Sequence, residues 1–292
     1  MLTTVCLCNL LSIGIIIVKI NIIILINLIY VAFFSFFLIN NKSFADKSVV
    51  ITPRELSTFK ECERCPEMVV IPSGKINYKD IIVAGSKSEF NQIIIDKPFA
   101  MSIFEITWSQ WLECVKQKVC KKIPSDQGWG KSDLPIINIS WFDAKDYISY
   151  LNQITDGNYR LPTEQEWQYA ARSNTKSKFW WGNALKKNYA NCRVCGTKWD
   201  GKQSSPVGSF KPNNFGLYDM NGNVWEWTSD CWLGKNGKKL QKDKTKNSCE
   251  NRVIKSGSWY YIPKLITPEA RSKFPSNLFS YNIGFRVVKD LN

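Results

Sequence analysis

The chain has 292 residues, 44% of them apolar and 22% charged, which are globular proportions that exclude disordered and collagen-like classes. It contains no histidine, which excludes Ser-His-Asp and Cys-His nucleophile systems, His-ligated zinc and a histidine pH switch. Thirty-nine basic residues against 25 acidic ones leave a net charge of +14, yet no basic motif interleaved with aromatics accompanies it. The densest basic run, Gly234 to Lys246, reads as a solvated loop, so nucleic acid is not an expected partner.

From Ile20 to Ile39 the chain is almost continuously apolar, long enough to span a bilayer, with Lys19 before it and polar residues after it. Ser43-Phe44-Ala45 offers small residues for cleavage after Ala45, so residues 1–45 are expected to be a signal peptide or a signal anchor, with cleavage favoured. Either outcome exports the rest of the chain to a periplasmic or extracellular space, and contact with membrane is expected only through this segment. The cysteines agree with export. Setting aside Cys6 and Cys8, eight remain, at positions 62, 65, 114, 120, 192, 195, 231 and 249, and in an oxidising compartment an even set reads as disulfides. They admit on the order of a hundred pairings, with Cys114–Cys120 and Cys231–Cys249 the favoured local bridges. The rival reading joins Cys62-x-x-Cys65 to Cys192-x-x-Cys195 as a zinc site, but their separation is far from that of a zinc ribbon.

Residues 46–66 read as a lead-in and 67–292 as the domain. Met68 to Gly74 begins as a buried strand that Pro72 and Gly74 end. Thr107 caps a predicted helix running to about Val119, with Trp108, Trp111, Leu112 and Val115 on one face. Ser140, with Asp143 three residues on, opens a second, whose inward stripe is Ala144, Tyr147, Ile148, Leu151 and Ile154. Thr163 and Glu166 form a capping box for a third, packed through Trp167, Ala170 and Ala171. Beyond Ser173 periodicity fades into Gly, Asn, Asp and Trp, with strand candidates only near Val253–Trp259 and Ile283–Val288. All 12 Trp lie between Trp108 and Trp259, roughly three times ordinary usage, which predicts a core or pocket built from aromatics. An α+β domain of low regular content, stapled by disulfides and with ion-fixed loops, is the expectation.

Several segments together resemble the formylglycine-generating enzyme, or sulfatase-modifying-factor, family. They are Met68–Gly74, Phe104-Glu-Ile-Thr107, Arg160–Arg172 with its Leu-Pro-Thr-Glu-Gln-Glu-Trp core, Gly216–Asp230 with Asp-Met-Asn-Gly-Asn-Val-Trp-Glu-Trp, Ser256-Gly-Ser-Trp259 and Asn282-Ile-Gly-Phe-Arg286. The resemblance implies a C-type-lectin-like fold and two calcium sites. One would be held by the Asp219 and Glu226 side chains and the Gly222 and Val224 carbonyls, the other by Asn191, Asp200 and the carbonyls of Cys192 and Lys202. In the family's oxidase two cysteines bind copper as thiolates and activate oxygen, converting a substrate cysteine to formylglycine. Here Tyr261 and Ile266 stand at those positions and no Cys follows Cys249, so no catalytic residue is assigned and copper is not expected. Trp225, Ser258, Trp259, Arg271 and Asn282 are the resulting pocket candidates. Two functions follow as expectations: a calcium-stabilised binding or accessory protein for a small-molecule or peptide ligand, or a formylglycine-type oxidoreductase with a non-standard site.

Overall fold

The computed structural model describes residues 57–77, 92–232 and 249–291, which belong to the unit 55–292. The expected export segment, the start of the lead-in and the basic run at 234–246 lie outside the described residues. Among those described, no helix is long and apolar enough to cross a membrane.

The three expected helices form, each fixed by the cap read from the sequence. Helix α1 (Trp108–Lys116) has the reciprocal Thr107/Gln110 box, α2 (Trp141–Ile154) the Ser140/Asp143 box and α3 (Glu164–Arg172) the Thr163/Glu166 box. Each box satisfies backbone N–H groups that the first turn leaves without partners. Helix α1 stops short of Val119 because the Cys114–Cys120 disulfide turns the chain back, with the N–H groups of Val119 and Cys120 both donating to the Cys114 carbonyl. On α2 the stripe is buried down to Leu151, whereas Ile154, in the last turn, is exposed.

Eleven strands are described, in three sheets. One sheet has the order β1 (Thr58–Phe59), β2 (Met68–Ile71), β5 (Phe99–Ser102), β11 (Val288–Asp290) and β6 (Tyr159–Arg160), with every neighbouring pair antiparallel. A second has the order β10 (Ile283–Gly284), β7 (Trp225–Cys231), β8 (Asn251–Lys255) and β9 (Arg271–Pro275), and a two-stranded ribbon joins β3 (Gly74–Asn77) to β4 (Gln92–Ile95). Residues 57–66, read as a lead-in, carry the edge strand β1 and the Cys62–Cys65 disulfide, so they belong to the folded unit.

Two strand expectations change shape. The candidate at 253–259 ends at Lys255 because Ser256 and Gly257 adopt left-handed backbone, φ 86° and 73°. A Cβ on Gly257 would lie 2.2 Å from the Leu265 carbonyl oxygen, so only glycine allows this turn. The candidate at 283–288 divides between two sheets: β10 runs parallel to β7, then the buried residues Phe285, Arg286 and Val287 cross to β11 in the other sheet.

Two main apolar clusters result. One joins α1 and α2 to Trp225, Trp227 and Phe285, and the other joins β2 and β5 to Trp167 and Leu217. A small third cluster holds Phe179, Ala190, Cys192, Cys195 and Ile266. All eight cysteines outside the first ten residues are paired, with Cα separations of 4.9 Å (Cys62–Cys65), 5.3 Å (Cys114–Cys120), 5.1 Å (Cys192–Cys195) and 5.6 Å (Cys231–Cys249). Each Cys-x-x-Cys closes on itself and they sit in different clusters, which replaces the zinc alternative. Mass spectrometry of non-reduced peptides is expected to recover these four pairs. Replacing Cys231 and Cys249 by serine opens an 18-residue span and should cost roughly 3 kcal/mol in urea unfolding; an unchanged midpoint would refute that pairing.

Candidate functional site

The segment Asp219–Glu226 runs as a tight loop into β7, with left-handed backbone at Asp219, Gly222 and Asn223. Gly222 is required there, since a Cβ would stand 2.3 Å from the Asn191 carbonyl oxygen. Behind the loop lies a buried acidic group of Glu105, Asp219 and Glu226, with one guanidinium, Arg286, among them. Arg286 grips Glu226 through both carboxylate oxygens at 2.7 and 2.9 Å, and donates also to the carbonyls of Ser102 (3.0 Å) and Tyr218 (2.9 Å). Trp167 Nε1 donates to Glu226 Oε2 at 2.6 Å. Glu105 accepts from Asn223 Nδ2 at 2.8 Å and from the Val224 N–H at 3.3 Å.

Three carboxylates beside one guanidinium would leave two uncompensated negative charges if all were ionised. Burial, reinforced by Asp219 and Glu226, pushes the Glu105 carboxyl well above the usual carboxylate range. Burial is also the main cause at Asp219, pushed up to about 6, with Glu226 adding to it. Asp219 Oδ2 accepts from the Gly208 N–H at 2.8 Å, but its Oδ1, like Asn221 Oδ1, is buried without a hydrogen-bond partner. Orphaned buried oxygens of this kind are what a hard cation fits. Of the inferred ligands, Glu226 is engaged by Arg286 and Trp167, and the Gly222 carbonyl accepts from Ser256 Oγ at 2.8 Å. Among the described residues no three acidic or cysteine side chains form a ready-made metal cage, so a calcium ion would draw on amide and backbone oxygens as well.

The second inferred set, Asn191, Cys192, Asp200 and Lys202, is accounted for largely by the chain itself. Asp200 accepts from the N–H groups of Val194 (2.7 Å) and Gly196 (2.9 Å), and Asn191 Oδ1 accepts from Thr197 Oγ1 at 3.1 Å. These bonds close the loop containing the Cys192–Cys195 disulfide, and they leave no orphaned oxygen on Asn191 or Asp200.

The pocket candidates meet beyond the left-handed turn at Ser256–Gly257. The Trp225 N–H donates to the Asn282 carbonyl at 2.8 Å, Asn282 Nδ2 reaches Ser258 Oγ at 3.4 Å, and the Trp259 N–H donates to the Asn223 carbonyl at 2.8 Å. The Trp225 ring stands edge-on to Tyr261, 5.6 Å between centroids, and Trp259 edge-on to Trp129 at 5.4 Å. The Trp259 Nε1 proton is buried without an acceptor. Arg271 instead pairs with Glu164 at the start of α3 (2.9 Å) and lies over the Trp232 ring. Of the two residues that the resemblance sets at the cysteine positions, Tyr261 is half-buried against Trp225, and Ile266 is fully buried in the third cluster with Cys192 and Cys195. The Arg193 N–H donates to the Tyr261 carbonyl at 2.9 Å, so the disulfide loop backs both positions.

Glu105, Arg286 and Trp129 are the residues that reasoning from the sequence missed. The first two sit inside segments quoted for the resemblance, where an acid and a base amid apolar residues were the available signal. Elsewhere an open groove of about 510 Å³ separates β4 from the start of α3, but there Arg160 already pairs with Glu166 (2.6 Å) and Asp290 (2.7 Å).

Short sheets, three capped helices and long ordered loops pinned by disulfides define a C-type-lectin-like α+β domain of the formylglycine-generating type. The chain belongs to the sulfatase-modifying-factor family: residues 53–291 match the family described as "Sulfatase-modifying factor enzyme 1-like domain". It is 31% identical to the formylglycine-generating enzyme of Bos taurus over 219 residues, covering 70% of this chain and 54% of the relative. It is 28% identical to the "Inactive C-alpha-formylglycine-generating enzyme 2" of Mus musculus over 227 residues, covering 57% of this chain and 70% of the relative. Among solved structures PvdO from Pseudomonas aeruginosa superposes with a TM-score of 0.69 at 28% identity, covering 80% of this chain and 98% of that one. The chain spans about half the length of the mouse and bovine formylglycine-generating enzymes it matches, 45% and 54%.

Proposed function

We propose that this protein is an exported ligand-binding or accessory member of its family, stabilised by calcium and lacking the copper-thiolate chemistry. What supports the reading is the resemblance, which implies that Tyr261 and Ile266 stand where the family's oxidase carries its two cysteines. A tyrosine oxygen is a hard donor and isoleucine donates nothing, whereas copper(I) prefers soft thiolates. The sulfurs that share a cluster with Ile266, those of Cys192 and Cys195, are tied in a disulfide. The ligand, a small molecule or peptide, would enter the group of Trp225, Ser258, Trp259, Tyr261 and Asn282, where the Trp259 Nε1 proton lacks an acceptor. Calcium would be held at Asp219 and its neighbours, supplying positive charge to an acidic interior. Its role there is to fix the loop that positions Trp225.

A second reading, an oxidoreductase with a different ligand set, is favoured by the packing of the Cys192–Cys195 disulfide against Ile266. One assay separates the two. The full chain, purified aerobically with copper added, is incubated with a cysteine peptide and the product mass is followed. No formylglycine and no stoichiometric copper are expected. Turnover that disappears with Cys192→Ser would establish the second reading and remove the first.

A further inference from the structure

Of the twelve large apolar side chains exposed among the described residues, six lie on two short loops beside the aromatic pocket: Tyr260, Ile262 and Leu265 on one, Leu278, Phe279 and Tyr281 on the other. The buried Trp259 ring joins them, 5.6 Å from Tyr260 and 5.8 Å from Tyr281. A third loop adds Ile123, 57% exposed, through Lys122, whose ammonium lies 4.2 Å from the Phe279 ring centroid. Scattered apolar residues on a protein surface need no explanation, but a concentration on adjoining loops marks a contact surface.

We propose that these three loops form a docking surface for an anionic lipid bilayer. Two observations select lipid. First, cations lie directly on the exposed rings: Lys122 on Phe279, and the Arg193 guanidinium 4.4 Å from the Tyr260 centroid. Protein interfaces enrich arginine but deplete lysine, so the Lys122–Phe279 contact is the one that favours a headgroup layer, which accepts an aromatic ring at the acyl boundary with a cation beside the phosphates. Second, the segments 120–125, 259–266 and 276–282 contain no acidic residue. Asp143 on α2 offsets Lys122 at 3.1 Å, and Arg193 and Lys264 leave the surface positive. The apolar side chains also stand on separate loops, which suits a fluid layer that needs no matching shape. The apolar stretch 20–39 supplies a reason for a bilayer to be near, since such a segment directs a domain to or across one. This contact goes beyond the one expected through that segment.

Hydrogen exchange on the full chain tests it, because the readout is local to the loops even if the first residues insert on their own. With phosphatidylglycerol-containing nanodiscs, amides in 260–265 and 278–281 should slow relative to detergent, and with phosphatidylcholine alone they should not. Lys264→Gln should cut that protection about five-fold, the loss of one cation near an anionic surface. The double variant Ile262→Asp with Phe279→Asp should abolish it; both side chains are exposed, so the melting temperature should stay that of the parent. No slowing on anionic nanodiscs, equal slowing on neutral ones, or protection retained in the double variant would overturn the proposal. Protection in detergent that rises with protein concentration would show instead that a second copy of the chain covers the surface, and would also overturn it.

Discussion

Arg286→Met is expected to lower the stability of the domain by about 3–5 kcal/mol, the cost of leaving one partner of a buried ion pair uncompensated. The bidentate grip on Glu226 is one part of the loss, and the carbonyls of Ser102 and Tyr218 lose a donor at the same time. What remains is three buried carboxyl groups with no guanidinium, in surroundings that already hold Glu105 and Asp219 above their ordinary pKa. For a domain of this size the melting temperature should fall by about 10 °C. Arg286→Lys should recover only part of it, because an ammonium cannot reproduce the two-pronged contact. A variant melting within a degree or two of the parent would show that the acidic group is neutral without Arg286.

Removing calcium is expected to destabilise the domain if the ion proposed at Asp219 binds there. An ion that binds only the folded state at about a hundred times its dissociation constant adds about 2.7 kcal/mol, so the midpoint in chelator should lie several degrees below that in calcium. The position proposed for the ion, at Asp219, predicts an asymmetry. Asp219→Asn should abolish the response to calcium, yet in chelator it should be at least as stable as the parent, because burying the ionised carboxylate is costly without a cation. A parent whose midpoint ignores both calcium and chelator would sink the assignment.

The helices were legible because their signals are local. Thr107, Ser140 and Thr163 each stand three residues before the side chain that completes the box, and no tertiary knowledge is needed to see it. Strand β7 was not legible, because Trp225, Glu226, Trp227 and Thr228 are all buried and a strand covered on both faces lacks polar alternation. That Arg286, sixty residues away, donates to both oxygens of its glutamate is visible only in the fold. Glu105 joins Asn223 across 118 residues, a distance over which spacing carries no information. Of the residues that the resemblance implies for a pocket, Trp225 contacts Asn282 and Asn282 contacts Ser258, with Trp259 next to Ser258 in the chain. Arg271 reaches Glu164 at the start of α3, more than a hundred residues away, a pairing that spacing does not reveal. Trp129 was missed because a tryptophan between glycines reads as a turn.

The order of strands in the first sheet fixes when that sheet can close. Strand β11 is the last in chain order, yet it lies between β5 and β6 and supplies hydrogen bonds to both. Until synthesis has passed residue 290, β6 has no neighbour to pair with and β5 has only one. Sheets closed by such distant partners form slowly, since the chain must lose its entropy over a long loop before the contacts return any. The helices and local disulfide loops can form earlier, but the first sheet closes only after its last strand has been made, so its edges stay unpaired until the end of synthesis.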